Sequence, residues 1–242
     1  MATKINETKI VPDILSIFAD VIKTVFMDNF YTKKEEMLNV FSHVIGVLGG
    51  CVVGACFVNK SLIIGLDPLG IISIGLYLFG MLGSYAASVA YHACSSNSVW
   101  KYRLRKLDHA AIYWHIAGSY SPIMLIAMRN VGYWGWGIFL FSWLCALIGT
   151  FVSFRRLKKH SNVETICFVL MGLTILVAMK QFLEAVDIKI FLWIVGEGVA
   201  YIIGALFYSF HKVKYIHAIF HLFVLLGSFC HMMAVWYILQ FV

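Results

Sequence analysis

The chain has 242 residues, of which 61% are hydrophobic and only 13% charged, with a mean hydropathy of +0.85. That excludes an ordinary water-soluble domain, where about 25% of residues are charged. Several long apolar runs make it a polytopic membrane protein, and the net charge of +7 is accounted for by topology without a nucleic-acid partner.

Residues 1–34 read as a tail. They lack a basic segment followed by an apolar core, so no signal peptide is expected. Val11, Ile14, Leu15, Phe18, Val21, Ile22 and Val25 recur at helical spacing, with Asp13, Ser16, Asp20 and Lys23 opposite. The spacing predicts an amphipathic helix lying on the membrane surface. Residues 35–242 hold seven apolar runs, 37–58, 70–94, 107–128, 132–153, 163–180, 189–210 and 214–240. Each is close to the length that a span needs, about 20 residues, and the fifth is the shortest. The expected architecture is an all-α bundle of seven transmembrane helices. The six cysteines (51, 56, 94, 145, 167, 230) lie in or beside these runs without a C-x-x-C pair. They read as small buried hydrophobes, neither a disulfide framework nor a metal cluster.

Fifteen of the 19 Lys and Arg residues fall in the tail and in the second, fourth and sixth loops, including Lys101, Arg103, Arg105, Lys106, Arg155, Arg156, Lys158 and Lys159. The other side has only Lys60, Arg129, Lys180 and Lys189. The positive-inside rule then expects a cytoplasmic N-terminus and an outside C-terminus, with the plasma (inner) membrane as the expected location.

Polar residues cluster at one depth. The first span opens with Glu36, Asn39, Ser42 and His43. The second closes with Ser84, Ser88 and His92, each four apart. The third opens with Asp108 and His109, and the seventh with His217 and His221. Intramembrane ionisable groups are costly and point to function. Taken singly, His109 and Glu36 also fit the headgroup level, and H-x-x-x-H also fits hydrogen bonding between helices. Taken together they fit a zinc site. His217 and His221, one turn apart, can bind one ion, and His92 is the best-placed third ligand. Asp108 can hold or deprotonate a water. Glu36, Asn39, Ser42, His43 and Ser88 can orient the imidazoles. His115 and His231 read as structural, and Glu197 in the sixth span reads as a hydrogen-bond partner of a neighbouring helix.

Three ordered motifs carry a resemblance: Glu36-Met-Leu-Asn39-Val-Phe-Ser42-His43, then Ser88-Val-Ala-Tyr-His92 with Asp108 opening the next span, then His217-Ala-Ile-Phe-His221. With them the chain resembles the hemolysin III group of the progestin and adipoQ receptor family, which is related to the alkaline ceramidase-like seven-span hydrolases. The resemblance covers about residues 33–242. It implies Zn2+ held by His92, His217 and His221, with Asp108 contacting it through water and Ser88 close by. It also implies a ceramide-like lipid amide or ester as substrate. The expected function is a zinc-dependent intramembrane hydrolase, with Asp108 as base or water-orienting group and Ser88 or His43 assisting at the oxyanion. Its lipid substrate would enter sideways from the bilayer. The alternatives are a receptor or sensor with a structural zinc and, less favoured, a hemolysin-type cytolysin. Against the cytolysin, the polar groups cluster at one depth where a pore former would carry a full-length polar stripe.

Overall fold

A computed structural model describes residues 31–156, 162–210 and 213–241, and among these every regular element is helical. The amphipathic helix expected around residues 11–25 lies outside the described residues. Seven long helices follow one another: α1 Lys33–Ile63, α2 Pro68–Ala93, α3 Lys101–Pro122, α4 Trp134–Arg156, α5 Asn162–Ala185, α6 Ile188–Ser209 and α7 Ile216–Phe241.

Local chemistry sets their ends. α1 carries Glu35 and Glu36 in its first turn and Lys60 in its last, matching the helix dipole. Gly65, at φ +65°, turns the chain. Asp67 then caps α2 by accepting the Gly70 N–H at 2.8 Å, with Pro68 in the first turn. Arg129, beyond α3, pairs with the other Asp67 oxygen, tying the two loops on that side together. After Pro122, which has no N–H to donate, α3 continues as a π-helical turn over Ile123–Ala127. In α5, Leu173–Ala178 is wound as a 3₁₀ helix. The cause is Tyr120 of α3, whose hydroxyl donates to the Gly172 carbonyl at 2.7 Å and accepts the Ile175 N–H at 3.1 Å. A side chain inserted into the hydrogen-bond ladder changes its pitch.

Six helices, all but α3, are long and apolar enough to cross a membrane. α3 starts at Lys101, six residues before the sequence reading placed it. Lys, Arg and Leu are good helix formers, so the charged stretch read as loop is the first turn and a half of the helix. Those charges hold α3 below the apolarity of the others, although its second half is almost wholly buried, from Ala110 to Pro122. It sits between α2 and α4 and packs most closely on α2.

The outward faces of α1, α4, α5 and α6 expose Phe41, Leu48, Leu144, Leu147, Phe151, Leu170, Leu192 and Leu206. Lipid offers such side chains no penalty, so helix pairing rests on close packing of small residues. A Cβ at Gly80 of α2 would stand 2.2 Å from the Trp114 carbonyl oxygen. One at Gly118 of α3 would stand 2.9 Å from that of Leu76. The two backbones are in direct contact there. The cysteines are all free thiols, as expected, but only Cys230 is buried; Cys51, Cys56 and Cys167 are exposed. The bundle's outside is apolar too, so an apolar residue need not face inward.

Candidate metal centre

α2 brings His92 to its last turn, and α7 brings His217 and His221 one turn apart to its start. Their ring nitrogens form a group of ligand atoms all within 4.8 Å of one another. Nε2 of His217 lies 3.3 Å from Nε2 of His92 and 3.1 Å from Nε2 of His221.

The outer nitrogens fix the tautomers. Nδ1 of His92 lies 2.6 Å from a Glu36 carboxylate oxygen, so Nδ1 carries the hydrogen and Nε2 a lone pair. Ser42 donates its hydroxyl to the Asn39 carbonyl at 2.8 Å. Its lone pairs therefore face Nδ1 of His221 at 3.0 Å, and that imidazole too keeps its lone pair on Nε2. Both lone pairs then lie beside Nε2 of His217, and a cation among the three nitrogens would accept all of them. Two imidazole nitrogens at about 2.0–2.1 Å from a tetrahedral ion lie about 3.3 Å apart. The donor set, its spacing and its outer hydrogen bonds therefore fit a metal ion, and among borderline ions tetrahedral nitrogen ligation suits zinc.

All four residues of the first motif stand around this group. Glu36 orients His92. Asn39 is fully buried, with its Nδ2 3.4 Å from Nδ1 of His92. Ser42 orients His221. His43 stacks on the His221 ring, centroids 3.8 Å apart and planes 10° apart, and neither of its ring nitrogens has a protein partner. Ser88, one turn before His92, stands beside the Asp108 carboxylate. Asp108 itself is outside the group of three.

Two residues that the sequence reading did not single out help to hold the site. Lys101 directs its ammonium at the other Glu36 oxygen (2.8 Å) and at the carbonyls of Tyr91 (2.7 Å) and Cys94 (3.0 Å). All three donors are used, and the C-terminal end of α2 is capped. Glu35 accepts the Tyr215 N–H at 2.8 Å. Tyr215 has φ +61°, a left-handed conformation that a bulky residue rarely adopts. This contact sets where α7 begins, and so where His217 and His221 stand. The only sequence sign was position: Glu35 immediately precedes the first motif, and Tyr215 stands two residues before the third.

The remaining polar residues lie elsewhere. His109 pairs with Glu164 of α5 at 2.7 Å, and Glu164 also accepts from Ser153 of α4. His115 bonds Ser84 (2.8 Å) and contacts Ser228 (3.3 Å). Glu197 hydrogen-bonds His231 of the neighbouring α7 at 2.7 Å, as its reading anticipated.

Comparison with known proteins agrees with the family resemblance. Residues 31–232 match the family described as haemolysin-III related. The chain is 32% identical over 202 residues to Hemolysin-3 of Bacillus cereus, covering 81% of this chain and 87% of that protein. It is 25% identical over 214 residues to the monocyte to macrophage differentiation factor of Homo sapiens, covering 85% and 84%. It is 29% identical over 233 residues to an ADIPOR-like receptor of Eremothecium gossypii, covering 84% and 71%.

Proposed function

We propose that this chain, which belongs to the haemolysin-III-related group of the progestin and adipoQ receptor family and is an integral multi-pass membrane protein, is a zinc-dependent hydrolase of a lipid amide or ester. The carrying observation is the convergence of three imidazole nitrogens, two of them with outer partners that turn their lone pairs inward. A buried catalytic zinc site keeps three protein ligands and one open position, which is the donor count here.

His92, His217 and His221 would hold the ion, which when bound supplies a Lewis acid that polarises a carbonyl and acidifies water at neutral pH. Asp108 takes one proton from the attacking water as its oxygen bonds to the carbonyl carbon. Ser88, beside Asp108, orients that carboxylate. The buried His43 ring, with nitrogens that no protein group occupies, can donate to the developing oxyanion. As the C–N or C–O bond breaks, Asp108 returns the proton to the leaving amine or alcohol, so atoms and charge balance. Lys101, Glu36 and Ser42 keep two of the imidazoles in their tautomers. The substrate carries an acyl chain and enters sideways from lipid, since the bundle's outward faces are apolar. This reading takes α3 as a seventh span. It also takes the basic side, with the N-terminus, as cytoplasmic, in a plasma (inner) membrane.

The test is metal analysis of the purified protein followed by fatty-acid release from lipid amides and esters, with and without chelator. Wild type should contain zinc and turn lipid over. Asp108→Asn should keep its zinc and lose turnover by about a hundredfold or more. Full zinc occupancy with no lipid turned over would instead favour a metal that only joins α2 to α7, as a receptor or sensor would use it.

A further inference from the structure

A second polar system lies deeper in the bundle. His231 of α7 is ten residues beyond His221, about 15 Å along the helix. It is 1% exposed and paired with Glu197 of α6 at 2.7 Å. Its other nitrogen, Nε2, has no protein partner. The groups facing this pair are Tyr77 on α2, His115 and Tyr120 on α3, Tyr201 on α6 and Cys230 on α7. None of these carries a fixed charge.

Between this pair and the histidine cluster the interior remains polar. Tyr201, one turn from Glu197, shares a hydrogen bond of 3.0 Å with Ser228. Ser228 lies 3.3 Å from His115, which bonds Ser84. The Tyr85 ring stands edge-on to His115, centroids 5.6 Å apart, and 5.2 Å from the His43 ring. The Tyr85 hydroxyl approaches Ser228 but makes no direct hydrogen bond, and the Tyr77 hydroxyl is likewise buried without a partner. Buried polar atoms are nearly always bonded, to protein or to ordered water. The unpartnered atoms of His43, Tyr85, Tyr77 and His231, on α1, α2 and α7, are therefore places that ordered water can fill. The apolar side chains of Phe57, Leu66, Ile74 and Leu239 pack in the same cluster as Tyr77 and Tyr85.

We propose that Glu197 and His231 form a proton-binding site inside the membrane, loaded from the histidine-cluster end through interior water, His115 and the buried hydroxyls of Tyr85, Ser228 and Tyr201. The arriving proton is taken at Nε2 of a neutral His231, giving an imidazolium held by the Glu197 carboxylate; it leaves by the same route. Nothing in this depends on the hydrolase reading.

The experiment is infrared difference spectroscopy of the full-length, metal-loaded protein in nanodiscs after a pH jump. Wild type should show an imidazole-to-imidazolium ring signal that disappears in His231→Gln and moves its midpoint in Glu197→Gln. His115→Leu and, separately, Ser228→Ala should slow the signal by about a hundredfold while the midpoint and metal content stay put. A purely structural role would not separate rate from midpoint in that way. If His115→Leu does not fold, Ser228→Ala alone carries the kinetic arm. A wild-type signal unchanged by His231→Gln, or relay variants that load at the wild-type rate, would overturn the proposal.

Discussion

At the scale of single residues, the site is decided by which ring nitrogen holds a hydrogen. Glu36 settles that for His92, and Lys101 holds Glu36. Changing Glu36 to Gln keeps the size but allows the side chain to offer an N–H as well as an oxygen. The His92 tautomer is then no longer enforced, and metal affinity should fall about 10–100-fold, read by competition with a chelator of known affinity. Unchanged affinity would show that Glu36 is a bystander. Much of this site was legible. Glu36, Asn39, Ser42 and His43 share a helical face, and two imidazoles four apart must point the same way. Lys101 was not legible. In the sequence it belongs to a cluster of loop charges, and only the turn back from α2 into α3 brings its ammonium to Glu36. Glu35 was hidden for a similar reason, since its partner is a backbone N–H 180 residues away.

At the scale of helices, α2 carries His92 and α3 carries Asp108, and one close contact further along holds the two helices together. Gly80 and Gly118 let the backbones meet. A methyl group at Gly80 would press on the Trp114 carbonyl, a backbone atom that cannot swing away. Gly80→Ala should therefore destabilise the bundle by about 1–3 kcal/mol, while Gly83→Ala, with only a 3.9 Å contact, should be near neutral. Thermal melts in the same detergent compare the two, and equal melting would dismiss the crossing as a constraint. The seven apolar runs each coincide with a long helix, because periodicity and span length are properties of the local chain. What the pattern could not give was the start of α3 or the change of winding in α5. The first depends on charged residues that are themselves good helix formers. The second depends on Tyr120 reaching in from a different helix.

At the scale of the whole molecule, the distribution of Lys and Arg makes a statement about sidedness. With the six native cysteines changed to Ser, Lys60→Cys should react with a membrane-impermeant maleimide on intact cells. Lys158→Cys should react only after the membrane is opened. The reverse pattern would invert the topology and move the histidine cluster to the outer leaflet.

Glu35 and Tyr215 join the first helix to the last. The ribosome adds about 5–20 residues per second, so their meeting comes about 10–40 s after α1 has been made. Through that interval Glu36, Asn39, Ser42 and His43 have no α7 to face, and an acidic, amide-bearing helix must wait in or beside the bilayer. Assembly of the centre therefore waits for α7, and a nascent chain stalled before α7 should be an early target of membrane quality control.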